Sequence, residues 1–462
     1  MIHCNGNRNM PTRKMSLIYI IGTYPLLTTT FIDREIKILR QWGVDLQIVA
    51  IRRPPADTPL SNDQQELQQG VLYLLPIAWL SLILSHLHFT LVHPRCYFQT
   101  LVYLLTRPYP NRQARIKTFL HFGEGVYAAY LVRKRQFREL HAHFVDRAAT
   151  IALIAGRLLG KPYSLSIHAG ADIFVNPVLL REKIMEARHA VTCTLHNKSH
   201  VEAIVGQELS DKISHIHHGL DLARYRPSRP NSVNGRPLIL SVGQLTERKG
   251  FVHLIRGCRS LKDQGYEFSC QIVGQGPQRQ ELENLIARLS LEDTVTLCGA
   301  LRHEEVIERY RQATLFVLPC IRSKDGDVDG IPNVLAEAMA MQVPVISSSV
   351  SAIPELLTDR VNGVLVSPED NAALVAAMAR LLDEPPCARN WGKTAGSPFL
   401  RRLTSNGMCG DLPQPCGPNG STEFSLHGCD ILWRRRWPAS ITSGWRLPGP
   451  LIAVEARCSL GS

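Results

Sequence analysis

The sequence predicts an α/β protein built from two Rossmann-like, doubly wound domains that face a cleft. Short apolar runs of strand length alternate with helical patterns through most of the chain, as in parallel α/β architectures. A polar, proline-rich segment at residues 221–235 interrupts this alternation, which restarts behind it. At 462 residues the chain is long enough for two domains, each with a full core.

The first half of the chain contains six apolar runs that we interpret as strands. They lie at residues 17–22, 46–51, 140–144, 163–168, 190–195 and 213–217, with helical patterns between them at 31–41 and 148–159. Because consecutive parallel strands need crossover helices, this order predicts one parallel sheet.

One long apolar stretch, residues 71–92, lies inside this half. Pro76, Ser81, Ser85, His86 and His88 interrupt it, which argues against a membrane-spanning helix. We interpret it as a short strand at 71–75 followed by an amphipathic helix from about residue 78. Packing in the core or along a groove is the favoured interpretation of this helix, and peripheral contact with a membrane is the alternative.

The second half repeats the alternation. Strands are predicted at residues 238–242, 269–273, 294–298, 315–318, 343–347 and 364–367, and helices at 251–264, 279–289, 304–312, 334–341 and 372–382. We therefore divide the chain into a first domain at 15–222, a linker at 223–236 and a second domain at 237–390. The tail at 391–462 has neither helical nor strand periodicity, and we interpret it as disordered or frameshifted, with a native accessory tail as the alternative.

Composition excludes several function classes. The chain is 45% hydrophobic and 20% charged, which is typical of a soluble globular protein. The net charge of +12 is spread out, without the basic and aromatic clusters of nucleic-acid-binding surfaces. The cysteines lack zinc-site spacing and the N-terminus is polar rather than a signal peptide, so we expect reduced structural thiols in a cytoplasmic protein.

Residues 325–342 carry the most informative motif of the chain. Asp325, Asp327 and Asp329 alternate with small residues, and a Gly-Ile-Pro-Asn turn then opens an alanine-rich helix. The start of such a helix presents free backbone N–H groups, which suit a phosphate. Glu337 lies among apolar residues of this helix and needs a partner, because an unpaired buried charge is costly.

Two further turns of the second domain have the composition of phosphate-binding loops. After the strand at 238–242, Gly243 is followed by Arg248 and Lys249, and two cations at a strand-to-helix turn can hold a phosphate. After the next strand, Gly274 and Gly276 form a tight turn that lets the backbone come close to a ligand.

Taken in order, SVGQLTERKG, IVGQGP, LFVLPC and DGIPNVLAEAMAMQVPVISS resemble the family-4 retaining glycosyltransferases (group 1 glycosyltransferases) of the GT-B fold. The resemblance covers roughly residues 15–390 and is strongest to bacterial exopolysaccharide members of the colanic-acid type. It implies that the first domain binds an acceptor and the second a nucleotide-sugar.

The resemblance also implies roles for individual residues. Arg248 and Lys249 would hold the diphosphate of the donor, together with the backbone N–H groups of residues 333–335 (Asn333, Val334 and Leu335). Glu337 would bind the ribose, and Asp329, where many members have Glu, would face the donor sugar. Gly243, Gly274 and Gly276 would line the donor site.

In the first domain, the resemblance implies that Gly22 lets the backbone approach the donor and that His168 lies near the sugar as a catalytic residue. Asp172 is a weaker candidate on the same side of the cleft. Many relatives read Ser-Glu-Thr where this chain has three threonines at 28–30, which leaves acceptor binding open.

The function implied is transfer of a sugar from a UDP- or GDP-sugar to a polysaccharide or lipid-linked acceptor, with retention and without a metal or other cofactor. The expected location is the cytoplasm, at the inner face of the plasma membrane. Two alternatives stay open: a non-catalytic two-lobed binder of nucleotides or sugars, and a glycosyltransferase inactivated by damage to its C-terminus.

Overall fold

The predicted strands assemble into two separate parallel sheets. This computed structural model describes residues 15–227 and 235–384. The first sheet contains β1 (Ser16–Thr23), β2 (Asp45–Arg52), β3 (Val71–Tyr73), β4 (Glu139–His143), β5 (Tyr163–Ile167), β6 (His189–Thr192) and β7 (Ile213–His215). The second contains β8 (Leu238–Val242), β9 (Ser269–Val273), β10 (Val295–Gly299), β11 (Leu315–Leu318), β12 (Val345–Ser348) and β13 (Val364–Val366).

Helices connect the strands and cover both faces of each sheet. The helices of the first domain are α1 (Thr30–Gln41), α2 (Asn62–Gln68), α3 (Trp79–Val92), α4 (Pro94–Leu105), α5 (Arg112–Val132), α6 (Arg147–Leu159), α7 (Ala171–Phe174), α8 (Leu180–Glu186) and α9 (Leu195–Val205). Those of the second domain are α10 (Phe251–Asp263), α11 (Arg279–Arg288), α12 (His303–Gln312), α13 (Asn333–Ala340), α14 (Ile353–Leu356) and α15 (Asn371–Asp383).

Both sheets have doubly wound topology. The strand orders are β3-β2-β1-β4-β5-β6-β7 and β10-β9-β8-β11-β12-β13, and every pairing is parallel. The order reverses between β1 and β4 in the first sheet and between β8 and β11 in the second. Ligands of such folds bind beyond the carboxyl ends of the strands at these switch points. The topology therefore directs attention to the loops after β1, β4, β8 and β11.

Alternation of side chains along the strands gives the first domain a core on each face of its sheet. In β1, Ile18 and Ile20 join one apolar cluster, and Tyr19 and Ile21 join the other. The second domain has one cluster that wraps its whole sheet and includes Leu220 and Tyr225. Leu220 therefore already packs in the core of the second domain, two residues before the predicted end of the first domain at 222.

Most predicted elements coincide with observed ones to within two residues, and the differences have local causes. The predicted strand at 190–195 ends at Thr192, because the Thr194 hydroxyl caps α9 by accepting a hydrogen bond from the Asn197 N–H at 3.0 Å. Helices α4 and α5 were not predicted from the sequence. The predicted tail at 391–462 lies outside the described residues.

Candidate functional site

The acid-rich loop of the second domain meets the first domain at the end of β5. A Cβ placed on Gly330 would lie 3.0 Å from the Cβ of Ala169 and 3.5 Å from the Thr194 methyl group. Gly330 directly follows Asp329, and Ala169 directly follows His168. The fold therefore brings the predicted acid of one domain and the predicted histidine of the other to the same interdomain contact.

The two predicted cations form a charged cluster with two acids, in which Lys249 and Asp327 are buried and Arg248 and Asp329 are half-buried. Arg248 directs its Nε to the Asp329 Oδ1 at 3.2 Å and its Nη1 to the Asp327 carboxylate, and the Lys249 Nζ lies 2.9 Å from the Asp329 Oδ2. Although burial alone would lower the pKa of Arg248, the two acids raise it above its ordinary value. The Arg248 guanidinium is therefore held in place, fully charged, before any ligand arrives, and the Lys249 Nζ is held by Asp329.

Among the three alternating acids, the resemblance implied a site role for Asp329 alone, and Asp327 was not expected to join it. Asp327 is buried and pairs with Arg248, so it belongs to the charged cluster. Asp325 does shape the loop: its Oδ1 accepts hydrogen bonds from the Ser323 hydroxyl at 2.5 Å and the Asp327 N–H at 3.2 Å. An alternating acid pattern does not distinguish these roles, since all three side chains follow the same spacing.

Glu337 is buried and has found protein partners, as its apolar surroundings required. The Tyr310 hydroxyl donates to the Glu337 Oε2 at 3.3 Å, and burial together with Glu337 raises the pKa of Tyr310 and of Tyr225. Tyr225 comes from the predicted linker, and its hydroxyl lies 3.1 Å from the His303 Nε2. Two tyrosines distant in sequence thus hold this carboxylate.

Helix α13 begins without a side-chain cap, because Pro332 occupies the N-cap position. The Leu335 N–H donates to the Pro332 carbonyl at 3.0 Å. Of the three predicted phosphate-binding N–H groups, that of Leu335 is thus already engaged, and a phosphate role falls more naturally to Asn333 and Val334.

The predicted glycines allow two loops to pack closely, and their role in lining the donor site stays a prediction. A Cβ on Gly274, whose φ is +146°, would lie 1.8 Å from the carbonyl oxygen of Gly243, and a Cβ on Gly276 would lie 2.4 Å from that of Leu245. The loops after β8 and β9 therefore pack backbone to backbone. A Cβ on Gly243 would also lie 3.3 Å from the Lys249 side chain, so this loop contact sets the position of Lys249.

In the first domain, Gly22 is the last residue but one of β1, at the switch point beside the loop that follows β4. A Cβ placed on Gly22 would lie 3.8 Å from the Asp146 Oδ2, which is ordinary van der Waals contact. The protein itself therefore tolerates a methyl group here, and the role of Gly22 in donor approach stays a prediction.

His168 is the centre of a row of three imidazoles. Its Nε2 lies 3.3 Å from the His143 Nδ1, and its Nδ1 lies 3.3 Å from the His218 Nε2. Burial, His218 and His143 hold the pKa of His168 well below its ordinary value, and burial with nearby cations lowers that of His218 to about 3. His168 and His218 are therefore neutral at physiological pH, and a hydrogen bond from His168 to a sugar would replace one to a neighbouring imidazole.

Asp172 belongs to a buried group of charges behind this row. Its Oδ2 accepts a hydrogen bond from the Val145 N–H at 2.9 Å, and burial together with Asp146 raises its pKa to about 6. Lys183 donates to the carbonyls of Val145 at 2.5 Å and Asp146 at 3.0 Å, and burial lowers its pKa to about 8. These contacts fix the loop after β4, which gives Asp172 a positioning role.

A second contact between the domains was not identified from sequence. Glu355, on α14 of the second domain, accepts hydrogen bonds from the N–H groups of Leu195 at 3.0 Å and His196 at 2.7 Å, and lies 3.3 Å from the His217 Nε2. Although burial raises its pKa, these hydrogen bonds lower it on balance. A carboxylate at a helix N-terminus is a favourable pairing, so Glu355 links the two domains. Glu355 lies in the segment Ile353-Pro-Glu-Leu-Leu357, to which no role was assigned from the sequence.

Several side chains near the cleft have metal-binding chemistry. In the described part of the chain, three groups bring their ligand atoms within 4.8 Å of one another: His168 with Cys193 and His218, Glu35 with His141 and His143, and His215 with His217 and Glu355. The alternating acids belong to none of them. The expectation that no metal is required stays a prediction.

Comparison with known proteins identifies the second domain. Residues 226–397 match the family model described as glycosyl transferases group 1. The chain carries a group 1 glycosyltransferase domain. The resemblance inferred from the motifs is thereby confirmed, and Arg248, Lys249, Asp329 and Glu337 all lie within the matched residues.

Two curated relatives match part of the chain. The putative colanic acid biosynthesis glycosyltransferase WcaL of Escherichia coli is 41% identical over 170 residues, and the amylovoran biosynthesis glycosyltransferase AmsK of Erwinia amylovora is 39% identical over 172 residues. Each match covers 37% of this chain and 42% of the relative. The chain thus spans about two fifths of the length of these relatives.

Solved structures match both domains together. HepE of Anabaena, in complex with UDP, superposes with a TM-score of 0.58 at 14% identity over 84% of this chain and 97% of its own. Sucrose-phosphate synthase of Thermosynechococcus elongatus gives 0.60 at 17% identity over 84% of this chain and 94% of its own. The two domains with the group 1 domain second thus form a GT-B fold, as the sequence predicted.

Proposed function

We propose that this chain transfers a sugar from a UDP- or GDP-sugar to a polysaccharide or lipid-linked acceptor, with retention, in cell-surface polysaccharide biosynthesis. The observation that carries the proposal is the charged cluster of Arg248, Lys249 and Asp329, which lies in the group 1 domain where the loop after β11 meets the first domain. Relatives of the chain are named for colanic acid and amylovoran biosynthesis, and a structure of the same fold binds UDP.

The cluster fits the charge that develops when a nucleotide-sugar reacts. The bond between the anomeric carbon and the diphosphate breaks, which leaves negative charge on the phosphate and positive character on the sugar. Arg248 and Lys249 would stabilise the leaving diphosphate, since preorganised cations need no rearrangement during the reaction. Asp329, released from them by the phosphates, would face the sugar.

Retention follows in this proposal from attack on the face that the diphosphate leaves. The acceptor hydroxyl forms the new bond to the anomeric carbon, and its proton passes to the departing phosphate oxygen. The His168 imidazole is neutral and buried, so it suits hydrogen bonding to sugar hydroxyls better than proton removal. Proton NMR of the product tests this step: an inverted anomeric configuration refutes it.

Titration calorimetry with UDP and GDP tests the nucleotide site. We expect one of them to bind, Glu337→Ala to abolish binding, and the matched control Glu292→Ala, an exposed acid, to leave it unchanged. Absence of binding to either nucleotide would refute the enzymatic proposal. We also expect donor turnover to survive EDTA, because the two cations take the place of a metal; loss of turnover restored by Mn²⁺ would contradict this.

A further inference from the structure

Helices α3, α4 and α5 of the first domain carry an outward-facing apolar surface. On α3 the large hydrophobic residues on this surface are 43% to 77% exposed: Trp79, Leu80, Ile83, Leu84, Leu87, Leu91 and Val92. Their spacing of three and four residues places them on one face of the helix. The opposite face buries Ser85 and Phe89 against the domain core. The favoured interpretation of α3 as a core helix is therefore correct for one face only.

The two following helices continue this pattern. On α4 the residues Phe98, Val102 and Leu105 are 48% to 55% exposed, and on α5 the residues Ile116, Phe119 and Leu120 are 54% to 62% exposed. The three helices pack against one another. Thirteen of the nineteen large hydrophobic residues that are exposed in the described chain thus lie between Trp79 and Leu120. Monomeric soluble proteins rarely expose so much apolar surface in one region.

The charges of this region have one sign. From Leu67 to Gly123 the sequence contains no Asp or Glu, whereas it contains five cations: Arg95, Arg107, Arg112, Arg115 and Lys117. All except the half-buried Arg107 are exposed. A surface that is apolar and purely cationic complements a layer whose interior is hydrocarbon and whose outer surface is anionic.

We propose that the outer faces of α3, α4 and α5 form a membrane-docking surface that binds bilayers containing anionic lipid. A second copy of this chain would fit less well, because it would bring two sets of uncompensated cations together. No helix of the described residues is long and apolar enough to cross a membrane, so docking would be confined to the interface. The exposed Trp79, at the start of α3, has the amphipathic ring that favours this depth.

Flotation of the full chain with vesicles tests the proposal. We expect co-flotation with vesicles of phosphatidylcholine and phosphatidylglycerol, and at least tenfold weaker binding to phosphatidylcholine alone, because each cation near an anionic surface contributes about a fivefold gain. Blue-shifted tryptophan emission on binding, lost in Trp79→Phe, would show that this residue enters the interface.

Two sets of variants with matched controls locate the surface. Removing three cations (Arg112→Gln, Arg115→Gln and Lys117→Gln) should weaken binding about a hundredfold, whereas removing three exposed cations of the second domain (Arg256→Gln, Arg288→Gln and Arg360→Gln) should change it little. Leu80→Ser with Leu91→Ser should abolish co-flotation, and Trp42→Ser with Val361→Ser, two exposed apolar residues elsewhere, should not.

The outcomes separate this proposal from the proposed function. UDP or GDP binding with no co-flotation refutes the docking surface and leaves the glycosyltransferase proposal standing. Co-flotation without nucleotide binding supports the docking surface and refutes the glycosyltransferase proposal. A dimer in sedimentation velocity that Leu80→Ser with Leu91→Ser converts to monomer, without vesicle binding by either form, assigns the surface to a second copy and overturns the proposal.

Discussion

Replacing Asp329 by Asn should make the protein less stable and, at the same time, tighten its binding of UDP or GDP. Asp329 holds Arg248 at 3.2 Å and Lys249 at 2.9 Å, and both cations are the expected ligands of the diphosphate. In the proposed mechanism the phosphates must displace this carboxylate. The substitution removes the competitor and leaves Lys249, which is buried, without its acid.

The size of the effect follows from the geometry of the cluster. Removing one partner of a buried ion pair costs about 3–5 kcal/mol, because the other charge is left uncompensated. Asp327 stays on Arg248, which favours the lower end, about 3 kcal/mol. This corresponds to a fall in Tm of about 6–12 °C. If the variant binds the nucleotide about tenfold more tightly than the parent, the bound nucleotide stabilises the variant by ~1.4 kcal/mol more than it stabilises the parent.

Thermal unfolding of both proteins with and without the nucleotide measures this balance. At about a hundredfold excess over Kd the ligand stabilises the parent by ~2.7 kcal/mol, and the variant should gain about 3–6 °C more in Tm than the parent. Asp63→Asn is the matched control, because Asp63 also holds one lysine and one arginine, Lys37 and Arg224, outside the charged cluster. The control should show no change in nucleotide affinity.

Two results would refute the reasoning. If the variant binds the nucleotide more weakly than the parent, the carboxylate assists the phosphate site and does not compete with it. If the nucleotide raises the Tm of parent and variant equally, Arg248 and Lys249 do not contact the diphosphate. If Asp329 faces the sugar, the Asp329→Asn variant should turn over the donor more slowly than the parent whichever way its nucleotide affinity changes.

Three further predictions concern the surroundings of the cluster. Tyr310→Phe, which removes the 3.3 Å hydrogen bond to Glu337 and keeps the ring, should cost about 1 kcal/mol of stability and weaken nucleotide binding severalfold; unchanged binding in calorimetry would contradict a ribose role. Gly22→Ala should keep the parent Tm but weaken donor binding, whereas Gly274→Ala should cost about 3 kcal/mol or more, since its Cβ meets a backbone carbonyl; equal Tm values would contradict this. The pKa of Asp172, raised to about 6 from 3.8, makes a stabilising contribution of about 3 kcal/mol that is present below pH 3.8 and lost as the pH rises through 6; Asp172→Asn should remove this part of the pH dependence in urea unfolding.

Much of the fold was predictable because strand and helix patterns are local. The strands β8, β9 and β11 have the predicted bounds, since each is an apolar run ended by a turn residue. The outer face of α3 was harder to predict, because an apolar stretch does not say which of its faces meets the core. Helices α4 and α5 had to be folded beside α3 before the exposed surface could be recognised.

For the site, the sequence by itself determined which residue types follow the strands of the second domain: Arg248 and Lys249 after β8, and the acids after β11. Tertiary structure alone decided their pairing, because Asp327 reaches Arg248 only when β8 and β11 lie side by side. It alone also joined His143, His168 and His218, and seated Glu355 on the start of α9. A motif shows which residue types each loop contains. The strand order decides which loops lie side by side, and this order depends on long-range packing that no local sequence pattern contains.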